Sequence, residues 1–115
     1  MTALSAGTGV DAAALPLAHA PLPASDVVSG SPTTATHTLG EIGGVEIGVW
    51  EMTPGAASDT EADEVFVVLS GHARIDFTDP ALPSIEVGPG SLVRLAEGMR
   101  TVWTVTETLR KVYVA

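Results

Sequence analysis

The sequence predicts a single all-β domain, and three observations carry that prediction. From position 34 onward, short runs rich in β-branched residues alternate with turn signals at the spacing of a β-sandwich or barrel. The turn signals are Gly43-Gly44, Pro54-Gly55, Ser70-Gly71, Asp79-Pro80 and Gly88-Pro89-Gly90. No convincing helical periodicity and no internal repeat interrupts this pattern. A chain of 115 residues, 45% of them hydrophobic, is long enough for one compact core.

The runs between these turns predict eight strands. They are Thr34–Leu39, Val45–Met52, Glu64–Leu69, His72–Thr78, Ser84–Val87, Ser91–Leu95, Thr101–Thr106 and Leu109–Val114. If Ser70-Gly71 is a two-residue turn, the strands on either side of it form a hairpin in which Leu69 pairs with His72. The inward face of that hairpin is the row Glu64, Phe66, Val68, Ala73, Ile75 and Phe77.

Glu64 is the exception in this otherwise apolar row. A slip of one residue would bury Arg74 and Asp76, so the alternation specifies the register. Burying the Glu64 carboxylate without a partner would be costly. We therefore expect it to be hydrogen-bonded, to lie at a barrel mouth, or to contact a ligand.

Residues 1 to 33 differ in amino-acid composition from the rest of the chain. They are rich in Ala, Pro, Ser and Thr, and only Asp11 and Asp26 are charged. Four prolines exclude a long helix and favour extended backbone. We expect a partly disordered arm over residues 1–33, extended from about Leu15 to Val28, and a barrel over residues 34–115. The arm would lie on the barrel or on a neighbouring subunit, and a fully disordered tail is the alternative.

The composition argues against several classes of partner. The formal net charge is −9, and no lysine or arginine precedes Arg74. Such a surface repels the phosphate backbone of nucleic acid and anionic membranes. No run approaches the roughly 20 apolar residues of a membrane-spanning helix, and no signal peptide is visible. Because there are no cysteines, disulfide and thiolate chemistry are excluded, and we expect a cytoplasmic protein.

Two segments resemble the conserved motifs of cupins. Gly55, Glu64 and Gly71 match the first motif from its glutamate to its closing glycine, and residues 90–98 resemble the second, with Ala96 where proline is usual. Residues 48–55 and 103–113 resemble the small cupin group that includes the ureidoglycine aminohydrolase cupin domain and the ethanolamine-utilisation accessory cupins. The resemblance covers about residues 15 to 115. It implies a double-stranded β-helix, the jelly-roll-like cupin barrel.

The resemblance also implies a metal site built from histidines and a carboxylate. Carried over residue by residue, its four ligand positions fall on Ser58, Thr60, Glu64 and Thr101. A loop shifted by one residue offers Ala57 and Asp59 in place of the first two. Neutral hydroxyls and a single carboxylate hold first-row transition metals poorly. We therefore expect no bound metal and no cofactor.

The candidate ligand-binding residues are Trp50, Thr60, Glu64, Thr101, Trp103 and Tyr113. Glu64 is also the candidate catalytic acid or base. A tryptophan at a barrel mouth can stack on a flat ligand, although filling the core is the commoner role. The orientation of Tyr113 stays open. A two-residue turn at Glu107-Thr108 aims Val112 and Val114 inward, whereas a three-residue turn aims Lys111 and Tyr113 inward.

The remaining polar residues carry weaker signals. Asp59, Glu61 and Asp63 form a carboxylate cluster that fits a solvated loop better than an acid–base pair. None of the three histidines falls at a ligand position. Lys111 and the arginines either clamp a carboxylate-bearing ligand from inside the barrel or lie outside.

Three functions remain open. The first is a metal-independent module that binds a small polar metabolite or acts as an accessory protein. The second is an aminohydrolase- or lyase-type enzyme that uses Glu64, and the third is a structural or assembly protein. We expect a symmetric homodimer in each case, because edge pairing or sheet-face packing hides an exposed sheet.

Overall fold

The computed structural model describes residues 3–115 and consists almost entirely of strands. The strands are β1 (Ala20–Pro21), β2 (Val27–Ser29), β3 (Thr33–Ile42), β4 (Val45–Met52), β5 (Gly55–Thr60), β6 (Glu64–Asp79), β7 (Ala81–Val87), β8 (Leu92–Leu95) and β9 (Arg100–Val114). One 3₁₀ turn, Ala24–Asp26, precedes β2. None of the described helical segments is long and apolar enough to cross a membrane. The prediction of an all-β barrel is confirmed.

Strand β9 organises the barrel. It pairs with β6 along almost its whole length, with β4 through its C-terminal half and with β5 through its N-terminal half. Strand β3 continues the sheet beyond β4, and β6 carries β7 and β8. Directly opposed residues of antiparallel strands share a face. One inward face therefore collects side chains from β4, β5, β6 and β9.

The predicted hairpin at Ser70-Gly71 is wrong. Residues 64–79 form one bent strand that pairs with β9, so Val68 lies opposite Lys111 and Ala73 opposite Val105. The register shifts between Val68 and Ala73, and Gly71 has a φ of +88° at the bend. A pair such as Ser70-Gly71 is as typical of a β-bulge as it is of a turn. The bulge keeps the predicted inward row on one face, and Phe66, Val68, Ala73 and Ile75 are all buried.

Residues 100–114 likewise form one strand, with no turn at Glu107-Thr108. Lys111 and Tyr113 point inward and are 5% and 7% exposed, whereas Val114 is 42% exposed. This settles the orientation that the sequence left open. Because β9 is uninterrupted, its inward residues keep the same parity throughout, and the buried ones are Thr101, Trp103, Val105, Leu109, Lys111 and Tyr113.

Strand β5 was not predicted, because Gly-Ala-Ala-Ser-Asp-Thr has a low strand propensity. It forms because β9 and β2 flank it on both sides. Strand β7 begins earlier than predicted and includes Pro83. A proline is tolerated there because β7 is an edge strand that pairs only with β6.

The N-terminal arm lies on the barrel. Its β1 pairs with β3, and its β2 pairs with β5. The Arg110 guanidinium donates to the carbonyl oxygens of Ala12 and Leu15, at 3.0 and 2.9 Å, and bonds the Glu51 carboxylate at 2.7 Å. His19 on the arm also bonds Glu51, at 2.7 Å. The division at residue 33 and a disordered start stay predictions, and residues 1 and 2 lie outside the described range.

Candidate functional site

A cavity of about 310 Å³ opens inside the barrel. Its wall includes Trp50, Met52, Glu61, Glu64, Trp103 and Lys111. The strand register brings these side chains together, since Trp50 on β4 lies opposite Lys111 on β9, and Ala57 on β5 lies opposite Trp103. The arm closes part of the space with Leu22 and Asp26.

An ion pair forms one side of the cavity. The Lys111 ammonium donates to Glu64 Oε2 at 2.6 Å, and the two side chains are only 7% and 12% exposed. The Lys111 Nζ lies 4.2 Å from the ring centroid of Phe66, 4.7 Å from that of Trp50 and 4.8 Å from that of Trp103. A cation over aromatic faces is stabilised by the ring quadrupoles. The Glu64 charge is therefore balanced within the chain.

A second carboxylate is held by neutral donors. The Thr101 hydroxyl donates to Glu61 Oε2 at 2.6 Å, and the Trp103 indole N–H donates to the same oxygen at 3.0 Å. Glu61 is only 6% exposed. Its backbone is fixed between β5 and β6 because its N–H donates to the Met99 carbonyl and its carbonyl accepts from the Gly98 N–H.

Asp59 lies beside Glu61 at the same end of the cavity. Its position on β5 is opposite Thr101, and its carboxylate accepts the Thr60 N–H at 2.8 Å. Burial, and then the negative charge of Glu61, raise the pKa of Asp59 to about 6.

The structure brings together four of the six candidate ligand-binding residues. Trp50, Glu64, Trp103 and Tyr113 line the cavity. Thr101 reaches it through its hydrogen bond to Glu61. Thr60 does not line it and borders a second depression of about 320 Å³, together with Arg100.

The register of β5 corrects the predicted ligand positions. Ser58 lies opposite Val102 and Thr60 opposite Arg100, so both are on the face of β5 away from Trp103, although Ser58 also borders the cavity. The inward positions are Ala57 and Asp59, which is the alternative shifted by one residue. The Ser58 hydroxyl donates instead to the Asp26 carbonyl, at 3.4 Å.

These residues do not fit the metal site of the cupin fold. Over residues 3–115, no three or more histidine, cysteine, aspartate or glutamate side chains are placed to hold one ion. Glu64, the motif glutamate, is engaged by an ammonium, and Ala57 supplies no donor. A transition metal would have to compete with Lys111 for a single carboxylate.

Sequence reasoning missed two residues of the site. Glu61 was interpreted as part of a solvated loop, although Ala57, Asp59 and Glu61 alternate as one face of a strand would. Lys111 could not be oriented because the sequence left a turn at Glu107-Thr108 open, whereas residues 100–114 form one strand. The histidines lie outside the cavity: His19 bonds the arm to Glu51, and the His72 side chain is 59% exposed beside Glu107.

Comparison with known proteins gives a family match and several related structures. The model of the EutQ-like cupin domain matches residues 39–113. A protein of unknown function from Pseudomonas syringae pv. tomato is 28% identical, with a TM-score of 0.74 over 91% of this chain and 46% of that protein. The Clostridium difficile EutQ protein is 21% identical, with a TM-score of 0.62 over 72% of this chain and 67% of EutQ. No curated protein matches the sequence.

A putative ethanolamine utilization protein from Salmonella typhimurium is 16% identical, with a TM-score of 0.60 over 71% of this chain and 68% of that one. These similarities confirm the cupin fold. The chain spans about half the length of the Pseudomonas protein that it resembles. The likeness to ureidoglycine aminohydrolase stays a prediction.

Proposed function

We propose that this chain, which belongs to the EutQ-like cupin domain family, is a metal-independent module that binds a small polar metabolite in its barrel. The observation that carries the proposal is the Lys111–Glu64 ion pair, set among three aromatic rings beside an open cavity. An apolar, partly aromatic cavity with a few fixed polar groups is the usual form of a small-molecule site.

The ion pair supports a site that works without a metal. In a cupin metal site, the motif glutamate gives its charge to the ion. Here the Lys111 ammonium stands 2.6 Å from Glu64 and supplies the positive charge. A buried carboxylate needs such a partner. The barrel interior is therefore neutralised at this point without an added cation.

The cavity also favours binding over a purely structural role. An assembly protein needs only a closed barrel filled with aliphatic side chains. Polar groups of Glu61, Glu64, Lys111 and Tyr113 line the cavity instead. A barrel with a purely structural role would not need these polar groups in its interior, since burying a polar group costs free energy.

An aminohydrolase- or lyase-type enzyme is the second candidate, and Asp59 is the observation that favours it. A carboxyl group with a pKa of about 6 can exchange protons near neutral pH. Glu64, the catalytic residue expected from the sequence, is already engaged in an ion pair with Lys111. Asp59 is thus the better acid or base in this second proposal.

The test compares metabolite binding by two variants. Ligand-observed NMR with mixtures of small polar metabolites should find a compound that binds the wild-type protein. Ala57→Phe fills the cavity from β5 and should abolish the signal, whereas Ala81→Phe, on the exposed edge strand β7, should keep it. Binding that persists in a folded Ala57→Phe protein, or no binder at all, would contradict the proposal.

We further propose that two copies pack through the outer sheet face. Val65, Leu92 and Val114 are 38%, 73% and 42% exposed on the neighbouring strands β6, β8 and β9, and Val65 lies opposite Val114. A second copy offers the same apolar row, and a two-fold contact is self-complementary. The net charge of −9 opposes nucleic acid and anionic membranes as partners. The cytoplasmic location stays an expectation.

A further inference from the structure

The wall of the cavity is strongly acidic. Its charged side chains are Asp26, Asp59, Glu61, Glu64 and Lys111. The 2.6 Å contact between Lys111 and Glu64 accounts for one charge of each sign. Three carboxyl groups then face the cavity, and no lysine, arginine or histidine of residues 3–115 forms an ion pair with them.

Glu61 is the most informative of the three. The side chain is 6% exposed, and Oε2 accepts both of its hydrogen bonds, from Thr101 and Trp103. Oε1 accepts none from the described residues. No buried side-chain oxygen within residues 3–115 lacks a partner. Oε1 is therefore not fully enclosed, and Glu61 is one of the residues that line the cavity.

A buried carboxylate that meets only neutral donors is poorly compensated. Its neighbour Asp59 makes the position worse, because burial and then the negative charge of Glu61 raise the pKa of Asp59. A positive group in the cavity would relieve both. A second anion would add to the repulsion.

The apolar part of the cavity wall indicates what kind of molecule would carry such a positive group. Leu22, Met52 and the rings of Trp50 and Trp103 form an apolar surface beside Glu61, and the ring centroids of the two tryptophans are 5.6 Å apart. A volume of about 310 Å³ holds roughly ten water molecules. This space fits a short organic body.

From this arrangement we infer that the cavity binds a small organic cation. A primary ammonium or amidinium group donates to Glu61 Oε1, and its short apolar body lies against Trp50 and Trp103. An N–H cation fits better than a metal ion, since hard metal ions need several convergent oxygens. No such cluster of acidic side chains is placed for a metal within residues 3–115. The inference rests on the proposed function, because it concerns the same cavity.

The two tryptophans make the test direct. Trp50 and Trp103 are the only tryptophans of the chain, and both line the cavity. Intrinsic fluorescence is titrated at neutral pH with n-butylamine, n-butanol and butyrate, which share a chain and differ in charge. The amine should give a saturable change at least about tenfold tighter than the alcohol, a difference of about 1.4 kcal/mol. Butyrate should give no saturable change.

Two variants assign the binding to Glu61. Glu61→Gln should weaken amine binding about tenfold or more, while Glu107→Gln, whose side chain is 68% exposed outside the cavity, should leave it unchanged. Because Glu61→Gln also alters a buried hydrogen-bond network, Asp59→Asn serves as a second variant and should weaken the amine several-fold. Circular dichroism confirms that each variant is folded.

The outcomes separate this inference from the proposed function. Equal or tighter binding of butanol or butyrate overturns the cationic ligand class and leaves the binding function standing. Amine binding that is unaffected by both Glu61→Gln and Asp59→Asn overturns the assignment to this end of the cavity. If no probe gives a saturable change while the NMR screen finds a ligand lost in Ala57→Phe, the ligand class is wrong and the site is right.

Discussion

Replacing Lys111 with methionine tests the ion pair on which the proposed function depends. Methionine keeps most of the volume of the side chain and its contacts with Phe66, Trp50 and Trp103, and removes the ammonium. Glu64 then faces the cavity as a carboxylate without its partner. Both side chains are nearly buried, so solvent screens the loss only weakly.

The size of the effect follows from this burial. Removing one partner of a buried ion pair typically costs about 3–5 kcal/mol. The cavity beside Glu64 admits water, which solvates the abandoned carboxylate in part, so we expect Lys111→Met to lower the free energy of unfolding by about 2–3 kcal/mol. The Lys111→Met, Glu64→Gln double variant should recover most of this loss, because it leaves no uncompensated charge.

Urea denaturation followed by far-UV circular dichroism measures the four free energies of this cycle. Tryptophan fluorescence is unsuitable, because two of the rings touch the mutated side chain. The exposed pair Arg94–Asp63, at 3.4 Å, is the matched control, and its coupling should be indistinguishable from zero. If the two Lys111 and Glu64 substitutions prove additive, the ion pair contributes nothing specific and our argument about charge balance fails.

Four further outcomes are expected. Gly71→Ala should lower the free energy of unfolding by about 1–3 kcal/mol, and by more than Gly90→Ala does. Both glycines have a φ near +90°, but only at Gly71 would an added Cβ meet the backbone of β9. Equal losses in melting temperature would refute this steric argument. The folded protein holds the Asp59 proton up to a pKa of about 6, against 3.8 for the ordinary group, so the stability that Asp59 contributes falls as pH rises through this window. The melting temperature of Asp59→Asn relative to that of the wild type should therefore increase as the pH rises from about 4 to 6. Melting temperatures that depend on pH in the same way in both proteins would contradict the assignment. Light scattering should give a dimer mass for the wild type and a monomer mass for Leu92→Glu; a dimer in both would place the interface elsewhere. Purified protein should contain no stoichiometric Mn, Fe, Ni or Zn by elemental analysis, and stabilisation by micromolar Mn²⁺ that EDTA reverses would restore a metal-dependent function.

The sequence was sufficient for the fold class and for the inward row of β6, because alternation of apolar and polar residues survives whatever the strand pairs with. It was insufficient for pairing partners. Ser70-Gly71 carries the same local signal in a turn and in a bulge, and only the position of β9 decides between them. Strand β5 had no propensity of its own and forms through its neighbours.

The residues of the candidate site were likewise predicted only in part. Glu64, Trp50 and Trp103 were found from motif positions and residue type, and all three line the cavity. Glu61 and Lys111 were not assigned. The possible turn at Glu107-Thr108 left the face of Lys111 undefined, although residues 100–114 form one uninterrupted strand. The acidic residues around Glu61 indicated a solvated loop. In the folded chain the Glu61 carboxylate instead accepts hydrogen bonds from Thr101 and Trp103.

The long ladder between β6 and β9 has a consequence for how the chain folds. It joins Val65 to Val114 and Asp79 to Arg100, residues separated by about 20 to 50 positions. Strands β4 and β5 pair with β9, and β7 and β8 pair with β6, so most of the barrel depends on these two strands meeting. A topology dominated by such distant contacts folds in milliseconds to seconds rather than microseconds. We expect a single cooperative transition, in which neither half of the barrel persists once the two long strands separate.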